Sequence, residues 1–157
     1  MSESSIDLPE KKECAFCDYL SGRRPYVFLW REEAVAVAVT REQRGVSHLL
    51  VFPTEHVETL LQLDARLAGP LMVALRDAAS AIDGADERPG IAVWQNNGVS
   101  AGQAIPHLHF HVAGTLDGGG TEFGSVEEIS LERAESIAQH LAPFVDLGVG
   151  NARRLFV

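Results

Sequence analysis

The chain has 157 residues, of which 46% are hydrophobic and 22% are charged, and this balance suits a single globular domain with a real core. Its formal net charge of -9 argues against broad nucleic-acid binding, because such binding draws its affinity from basic side chains that neutralise phosphates. The start, MSESSIDLPEKKE, lacks the apolar segment of a signal peptide, and no apolar run is long enough to span a membrane, so we expect a cytoplasmic protein.

The first half of the chain is predicted to hold a short helix and three strands. Residues 1–12 are polar and are expected to form a mobile tail, whereas Cys14 to Leu20 can start a short helix. The stretch AVAVAV has no polar alternation, which is typical of a buried strand. The predicted strands are YVFLW (26–30), AVAVAV (34–39) and SHLLVFP (47–53).

The second half is predicted to hold two helical regions and two more strands. Apolar residues recur at helical spacing from Glu58 to Ile82, and Gly69-Pro70 predicts a kink or a second helix that starts near Pro70. Residues 83–90 are expected to form a loop, and residues 116–125 a flexible loop. The other predicted elements are strands over 91–95 and 107–114 and an amphipathic helix over 127–141. Several strands joined by few helices favour an antiparallel α+β domain.

The only cysteines, Cys14 and Cys17, form a C-x-x-C motif in ECAFCDYL. Two cysteines without a secretory signal do not predict a disulfide scaffold, and such a motif in the cytosol usually binds metal or does redox chemistry. A redox motif would normally follow a strand, whereas a polar terminus precedes this one. Metal binding is therefore the first hypothesis, ahead of unrelated cysteines and redox chemistry.

The stretch PHLHFHVAG places three of the six histidines within five residues. Because side chains alternate along a strand, His107, His109 and His111 should share one face, with the apolar residues between them facing the core. Two chemical interpretations follow. In the first, the imidazoles bind a catalytic metal that keeps an open position for water. In the second, one neutral imidazole attacks phosphorus while its neighbours bind phosphate oxygens and help the leaving group.

The approach to these histidines, NNGVSAGQAIPH, favours an anion site. Its glycines free the backbone to present N–H groups to phosphate oxygens, and Asn96, Asn97 and Gln103 can add side-chain donors. Alone, the stretch would pass for a polar turn. Next to three histidines it predicts a local phosphate site on an otherwise acidic protein.

Four motifs, in this order along the chain, resemble the histidine triad (HIT) family. CAFC resembles the opening of its zinc-carrying bacterial branch, SHLLVFPTEH resembles G-H-x-L-V-I-P-K-x-H, NNGVSAGQ is similar to N-x-G-x-x-x-G-Q, and HLHFHV resembles the signature H-φ-H-φ-H-φ, where φ is apolar. The resemblance runs from Cys14 to about Gly114. It implies a single HIT domain over residues 1–157, in which residues 115–157 are a C-terminal extension with a helix.

The resemblance implies a nucleotide hydrolase. His109 would attack the α-phosphorus of a nucleoside phosphoramidate or a dinucleoside polyphosphate, and water would then release a nucleoside monophosphate from the nucleotidyl-histidine. His111 would contact the phosphate and help the leaving group, while His48 would orient the triad from behind. Related nucleotidyl transferases have glutamine as their third triad residue, so His111 favours a hydrolase. Substrate contacts would also come from Asn96, Gly102 and Gln103.

The resemblance also implies a metal, a fold and an assembly. One structural zinc ion per chain would be held by Cys14, Cys17, His56 and His107, so the first histidine of the catalytic triad would also be a metal ligand. The fold would be a five-stranded antiparallel sheet with two main helices, and a homodimer would join two sheets into one of ten strands. The expected partners are a purine nucleotide conjugate and a second copy of the chain, with no nucleic acid and no membrane.

Some positions depart from the family pattern and bear on the substrate. Thr40 stands where the family has an aspartate that binds ribose hydroxyls, Ser47 replaces a glycine, and Ala104 replaces a residue with a hydroxyl group. Phe16 and Tyr19 fall where the family lines its base pocket, although core packing explains them equally well. Two alternatives to the hydrolase therefore stay open: a non-catalytic nucleotide-binding or interaction module, and a zinc metallohydrolase with a three-histidine site.

Overall fold

The computed structural model describes residues 4–10, 13–148 and 153–156, and its backbone follows the predicted α+β plan. The helices are α1 (Ala15–Ser21), α2 (Ala65–Asp86) and α3 (Leu131–Leu141), with 3₁₀ turns at Leu60–Gln62, Val99–Ala101 and Ala142–Phe144. The strands are β1 (Phe28–Arg31), β2 (Val35–Val39), β3 (Val46–Pro53), β4 (Ile91–Gln95), β5 (Phe110–Gly114) and β6 (Arg154–Leu155). They form one antiparallel sheet in the spatial order β4-β5-β3-β2-β1-β6. Within the described ranges, no helix combines the length and apolarity that crossing a membrane requires.

The sheet is covered on both faces, which explains the unalternating sequence of β2. Its three valines pack with residues of α2 and α3 in the main core. Ala36 and Ala38 point to the opposite face, where they pack with Phe16 of α1 and with Phe52. Helices α2 and α3 therefore cover one face of the sheet, and α1 with a layer of aromatic side chains covers part of the other.

Helix α2 differs from its prediction at both ends. It begins after Asp64, whose side chain accepts a hydrogen bond from the backbone N–H of Arg66, and it continues through Pro70 as one helix. It runs to Asp86, so its last turn occupies part of the predicted loop over residues 83–90. Gly84 suggested a loop, but the glycine has a packing role, because a Cβ there would lie 2.7 Å from the ring of Phe144.

Within the described residues the sheet has six strands, and the predicted number of five is corrected. The extra strand β6 pairs with β1 through Trp30 opposite Leu155 and Arg31 opposite Arg154. The buried Arg153 precedes it and forms ion pairs with Asp77 at 2.7 Å and with Glu32 at 3.2 Å. A strand of two residues is too short to show a hydrophobic period. Its formation depends on contacts with residues that are distant in the sequence.

Three other boundaries differ from the predictions for physical reasons. Strand β5 begins at Phe110 rather than at residue 107, because the backbone N–H of Leu108 bonds to Val57 outside the ladder, at 2.6 Å. Helix α3 begins at Leu131 because the side chain of Ser130 caps it. Part of the expected tail lies on the body of the protein, since Asp7 O accepts a hydrogen bond from Val99 N at 2.8 Å. Residues 1–3 and 11–12 of that tail lie outside the described residues.

Candidate active site and metal centre

The three triad histidines follow one another along β5 and the extended segment before it, and their rings lie side by side. The ring centroids of His109 and His111 are 5.0 Å apart, and Phe16 of α1 packs edge-on against both His107 and His109. The intervening Leu108 and Val112 are fully buried in the main core. The alternation predicted from the sequence therefore separates the imidazoles from the apolar core.

A cleft of about 930 Å³ lies over this face of the sheet. His109 and His111 line it, together with Thr40, Asn96 and Gly102. Its aromatic lining consists of Phe16, Tyr19, Tyr26, Trp94 and Phe123, and its charged lining of Arg24, Arg41, Arg44, Glu42, Glu122 and Glu128. This volume is in the range of small-molecule sites.

The hydrogen bond of His109 decides which of its nitrogens is basic. Its Nδ1 lies 2.7 Å from the backbone carbonyl oxygen of His107, and a carbonyl only accepts hydrogen bonds, so Nδ1 must carry the proton. In the neutral ring the lone pair is then on Nε2. A histidine with a fixed Nδ1–H and a basic Nε2 at a cleft is arranged as a nucleophile.

The same argument fixes the tautomers of His48 and His111. The backbone N–H of Arg44 donates to His48 Nδ1 at 3.1 Å, so the proton of neutral His48 is on Nε2. That Nε2–H lies 3.0 Å from His111 Nδ1 and donates to it. His111 must therefore carry its own proton on Nε2, while its ring stacks on Trp94 at 4.7 Å. This chain of bonds leaves His111 with an Nε2–H donor on a ring that lies beside the ring of His109.

Burial keeps this pair of histidines uncharged. It lowers the pKa of His48 to about 3, and it lowers the pKa of His111 to about 2 with help from the neighbouring His109 and His48. Both imidazoles are therefore neutral near pH 7, as the tautomer assignment requires.

The backbone just before His48 is unusual, because Ser47 has a φ of 52°. This left-handed conformation is one that glycine adopts most readily, and it accounts for the glycine that the family pattern has at this position. Ser47 is also buried, so the serine is held in that conformation by its surroundings.

A second cluster lies at the other end of the triad segment, where Cys14, Cys17, His56 and His107 come together. One ligand atom from each of them lies within 4.8 Å of all the others. His107 Nδ1 is 3.3 Å from Cys14 Sγ, and His56 Nδ1 is 3.5 Å from Cys17 Sγ. His107 Nε2 donates to the carbonyl oxygen of Pro53 at 2.8 Å, which leaves the lone pair of Nδ1 directed at the sulfurs.

The thiol of Cys17 is poorly suited to being charged on its own. Burial, together with the adjacent Cys14, raises the pKa of Cys17 to about 11. A divalent cation would supply the missing positive charge and displace the thiol protons. Two sulfurs and two imidazole nitrogens form the donor set of a closed tetrahedral zinc site.

This arrangement does not favour a metal held by all three triad histidines. Among the described residues, the one group of metal-binding side chains includes His107 but neither His109 nor His111. The first triad histidine is directed towards the cysteines, while the Nδ1 atoms of the other two are bonded to His107 O and His48. The members of the triad thus differ in their surroundings, because His107 faces the cysteines while His109 and His111 line the cleft.

The polar loop before the triad holds its own shape with the side chains that were expected to bind substrate. Gln103 is buried, its Oε1 accepts from Gly98 N at 2.7 Å, and its Nε2 donates to the carbonyl oxygens of Glu58 and Ile105. Asn96 lines the cleft but donates to Ala101 O at 2.6 Å. Gln103 therefore braces the loop from inside rather than lining the cleft.

The predicted base-pocket residues do lie at the cleft, with an aromatic neighbour that sequence analysis missed. Tyr19 stacks on Tyr26 with ring centroids 4.0 Å apart. Burial raises the pKa of Tyr26 to about 12, and the hydroxyl of Thr40 lies beside its phenol oxygen. Thr40 Oγ1 also accepts from Glu42 N at 3.2 Å. Tyr26 was assigned only to a strand, because nothing local in the sequence pairs it with Tyr19.

Comparisons with known proteins agree with this geometry. A model of the HIT domain family matches residues 22–117. The protein Hit of Bacillus subtilis is 31% identical over 115 residues, which is 73% of this chain and 79% of that protein. The adenosine 5′-monophosphoramidase hnt1 of Schizosaccharomyces pombe is 30% identical over 102 residues, which is 63% of this chain and 71% of that protein.

Solved structures share the same fold. A Hit-like protein from Bartonella henselae superposes with a TM-score of 0.79 at 23% identity, covering 87% of this chain and 99% of that one. A Zn-bound histidine triad family protein from Mycobacterium smegmatis superposes with a TM-score of 0.69 at 22% identity, covering 84% of this chain and 92% of that one. The matched domain, the ordered triad and the shared fold together show that this chain belongs to the HIT family.

Proposed function

We propose that the protein hydrolyses nucleotide conjugates, either nucleoside phosphoramidates or dinucleoside polyphosphates, through a nucleotidyl-histidine on His109. The observation that carries this proposal is the pair of fixed tautomers. The bond of His109 to His107 O leaves Nε2 basic, and the bond of His111 to His48 leaves an Nε2–H donor next to it. A nucleophile and an adjacent hydrogen-bond donor are what displacement at a phosphoramidate or a phosphoanhydride requires.

In the first step, His109 Nε2 forms a bond to the α-phosphorus, and the bond from phosphorus to the leaving nitrogen or oxygen breaks. The leaving group departs with the electron pair, and an amine takes up a proton from water. His109 becomes an imidazolium whose Nδ1–H still bonds to His107 O, so the carbonyl stabilises the new positive charge. His111 Nε2–H donates to a phosphate oxygen as negative charge develops there.

In the second step, water attacks the same phosphorus and the Nε2–phosphorus bond breaks. The electron pair returns to Nε2, the water proton passes to solvent, and a nucleoside monophosphate is released. His109 is then in its original tautomer because Nδ1–H was never transferred.

We propose a purine nucleotide as the conjugated group. The half-buried, stacked rings of Tyr19 and Tyr26 offer aromatic surface at the cleft, and the buried ring of Phe16 packs behind them. The relationship to a fission yeast adenosine 5′-monophosphoramidase supports adenosine conjugates in particular.

The test is release of AMP from an adenosine phosphoramidate and, separately, from a diadenosine polyphosphate. His109→Gln should reduce turnover at least about a thousandfold, as removal of a nucleophile does in other enzymes. His140→Gln is the matched control, because this exposed histidine lies outside the cleft and pairs with Asp86. Full turnover by His109→Gln would refute the mechanism.

A non-catalytic nucleotide-binding module is the second candidate, and the internal bonding of Thr40 and Gln103 favours it. Both side chains are occupied by backbone partners, which reduces the number of polar groups available to a substrate. This candidate predicts that AMP binds and that neither conjugate is hydrolysed by the wild-type protein.

We propose one zinc ion per chain at Cys14, Cys17, His56 and His107, with a structural role. Support comes from the four convergent ligand atoms and from a zinc-bound family structure of the same fold. The ion would supply positive charge to two half-buried thiolates and link α1 to the triad segment.

We also propose a homodimer that joins two copies at β4. In the described part of the chain this strand pairs only with β5, so one of its edges is left without a partner strand. Val93 in the middle of β4 is 51% exposed, which gives that edge apolar surface. Measuring the molar mass in solution would test this assembly.

A further inference from the structure

One wall of the cleft comes from outside the segment that matches the family. The match ends at residue 117, yet Thr121, Glu122, Phe123, Gly124 and Glu128 line the same cleft as His109 and His111. We call residues 121–129 the strap. The family signature does not assign a role to this segment. Its role is therefore inferred from its own side chains and contacts.

Two arginines hold the strap against the hairpin between β2 and β3. Glu122 N donates to Arg44 O at 2.7 Å, and the Arg44 side chain donates to the carbonyl oxygen of Gly124 at 2.7 Å. Arg41 pairs with Glu128 at 3.0 Å and donates to Ile129 O at 2.8 Å. These contacts lie on both sides of Phe123 in sequence, so they hold its backbone at the cleft.

The Arg44 anchor also connects the strap to the triad. The backbone N–H of Arg44 is the donor that fixes the tautomer of His48, and His48 in turn fixes His111. Arg44 therefore holds the strap with its side chain and supports the catalytic histidines with its backbone N–H.

Phe123 is the most exposed of the large apolar side chains in the described part of the chain, at 90%. Other exposed apolar side chains such as Leu61 and Met72 do not line the cleft. An aromatic ring held in water at the mouth of a cleft that already contains stacked tyrosines gains contacts only when a ligand covers it.

We propose that Phe123 is a specificity-determining residue that packs against a planar aromatic ring of the substrate. This inference rests on the proposed function, because it assumes that a nucleotide conjugate fills the cleft. Two parts of such a substrate can supply the ring: the base, or an aromatic leaving group on the far side of the phosphorus.

The experiment compares Phe123→Ala with Met72→Ala, an exposed apolar control on α2, and with Phe123→Trp, which keeps an aromatic face. Binding is followed by isothermal titration calorimetry, because Phe123→Trp adds a second tryptophan to the cleft beside Trp94 and would alter a fluorescence signal. All variants carry His109→Gln, so that conjugates are not consumed. The ligands are AMP, ribose 5-phosphate, and AMP amides of an aromatic and of an aliphatic amine.

Contact with the base predicts that Phe123→Ala weakens AMP binding about two- to tenfold and leaves ribose 5-phosphate unchanged, which is the range expected for one aromatic pair. Contact with the leaving group predicts a similar loss for the aromatic amide only. In either case Phe123→Trp restores affinity and Met72→Ala has no effect.

Unchanged dissociation constants for all four ligands would overturn the proposal, and so would a change in molar mass without a change in affinity, which would make Phe123 an assembly residue. Turnover by a chain with native His109 is measured in parallel. Its absence would refute the proposed hydrolase, while the binding series would still decide the role of Phe123.

Discussion

At the scale of single residues, the site is defined by hydrogen bonds to groups whose roles cannot change. A backbone carbonyl must accept and a backbone N–H must donate, so His107 O and Arg44 N determine the tautomers of His109 and His48. His111 follows through its bond to His48. The protein thus prepares a basic nitrogen and a donor N–H without using a carboxylate.

The buried His48 should make stability depend on pH. Burial lowers its pKa to about 3, whereas an unfolded histidine has a pKa of about 6.5, so the unfolded chain binds the proton more readily. The free energy of unfolding therefore falls as the pH drops from about 6.5 towards 3. At pH 5 this one group lowers it by about 2 kcal/mol relative to pH 7.

Urea denaturation at pH 7 and pH 5 tests this effect in the wild type and in His48→Gln, which cannot titrate. The loss of stability between the two pH values should be smaller in the variant by about 2 kcal/mol. Equal losses in both proteins would show that His48 is not the buried neutral group described.

At the scale of elements, the sequence predicted those parts of the fold that have a strong local signal. Strand β4 was predicted at its observed bounds, and α2 was recognised from its period. The last turn of α2 was missed. It contains Gly84, which makes room for the ring of Phe144, a contact that the local sequence does not reveal. Strand β6 was missed because the contacts that stabilise it come from residues far away in the sequence.

In the candidate site, too, features with a sequence motif could be predicted and features that depend on distant contacts could not. The shared face of the triad could be predicted from its spacing along a strand, whereas the four members of the metal cluster could be named together only through the resemblance to the family. The bracing role of Gln103 and the aromatic pair of Tyr19 and Tyr26 could not be predicted, because both depend on how loops meet in space. Residues 121–125 of the strap were predicted as part of a flexible loop and residues 127–129 as the start of a helix, whereas α3 begins at Leu131.

Arg153 should be the main anchor of β6. Its side chain is 3% exposed and pairs with Asp77 and Glu32, and it lies 4.7 Å from the ring centroid of Trp30. Although burial would raise the pKa of Asp77, Arg76 and Arg153 hold it below the usual value. Arg153→Met leaves the carboxylates without this partner and should lower the free energy of unfolding by about 3 kcal/mol.

Chemical denaturation measures the effect, with Arg154→Met as the control, because the neighbouring arginine is exposed. Adding Asp77→Asn to Arg153→Met should recover part of the loss, since it removes one unpaired charge. If Arg153→Met and Arg154→Met lowered the free energy of unfolding equally, the buried network would not be the anchor of β6.

At the scale of the whole molecule, the proposed zinc ligands and the proposed nucleophile share one segment of backbone. His107 directs its ring to the cysteines and its carbonyl oxygen to His109 Nδ1, and Phe16 of α1 packs on both rings. Loss of the metal should therefore loosen α1 first and then the position of His109.

Chelation is expected to lower the melting temperature by roughly 5–10 °C, which corresponds to about 3 kcal/mol for a metal present at a hundredfold excess over its Kd. The rate of AMP release should decline as well. Cys17→Ser should show the lower melting temperature without chelator, whereas Ser21→Ala at the end of α1 should behave like the wild type. A protein that contains stoichiometric zinc yet melts at the same temperature after its removal would contradict a structural role.

The central claim is that His109 forms a covalent intermediate, and the stereochemical course at phosphorus tests it most directly. An adenosine phosphoramidate with a chiral α-phosphorothioate group is hydrolysed in water labelled with heavy oxygen, and the configuration of the product is determined. Two in-line displacements, first by His109 Nε2 and then by water, predict retention of configuration. Inversion would mean that water attacks the substrate directly, and it would contradict the assignment of His109 as the nucleophile.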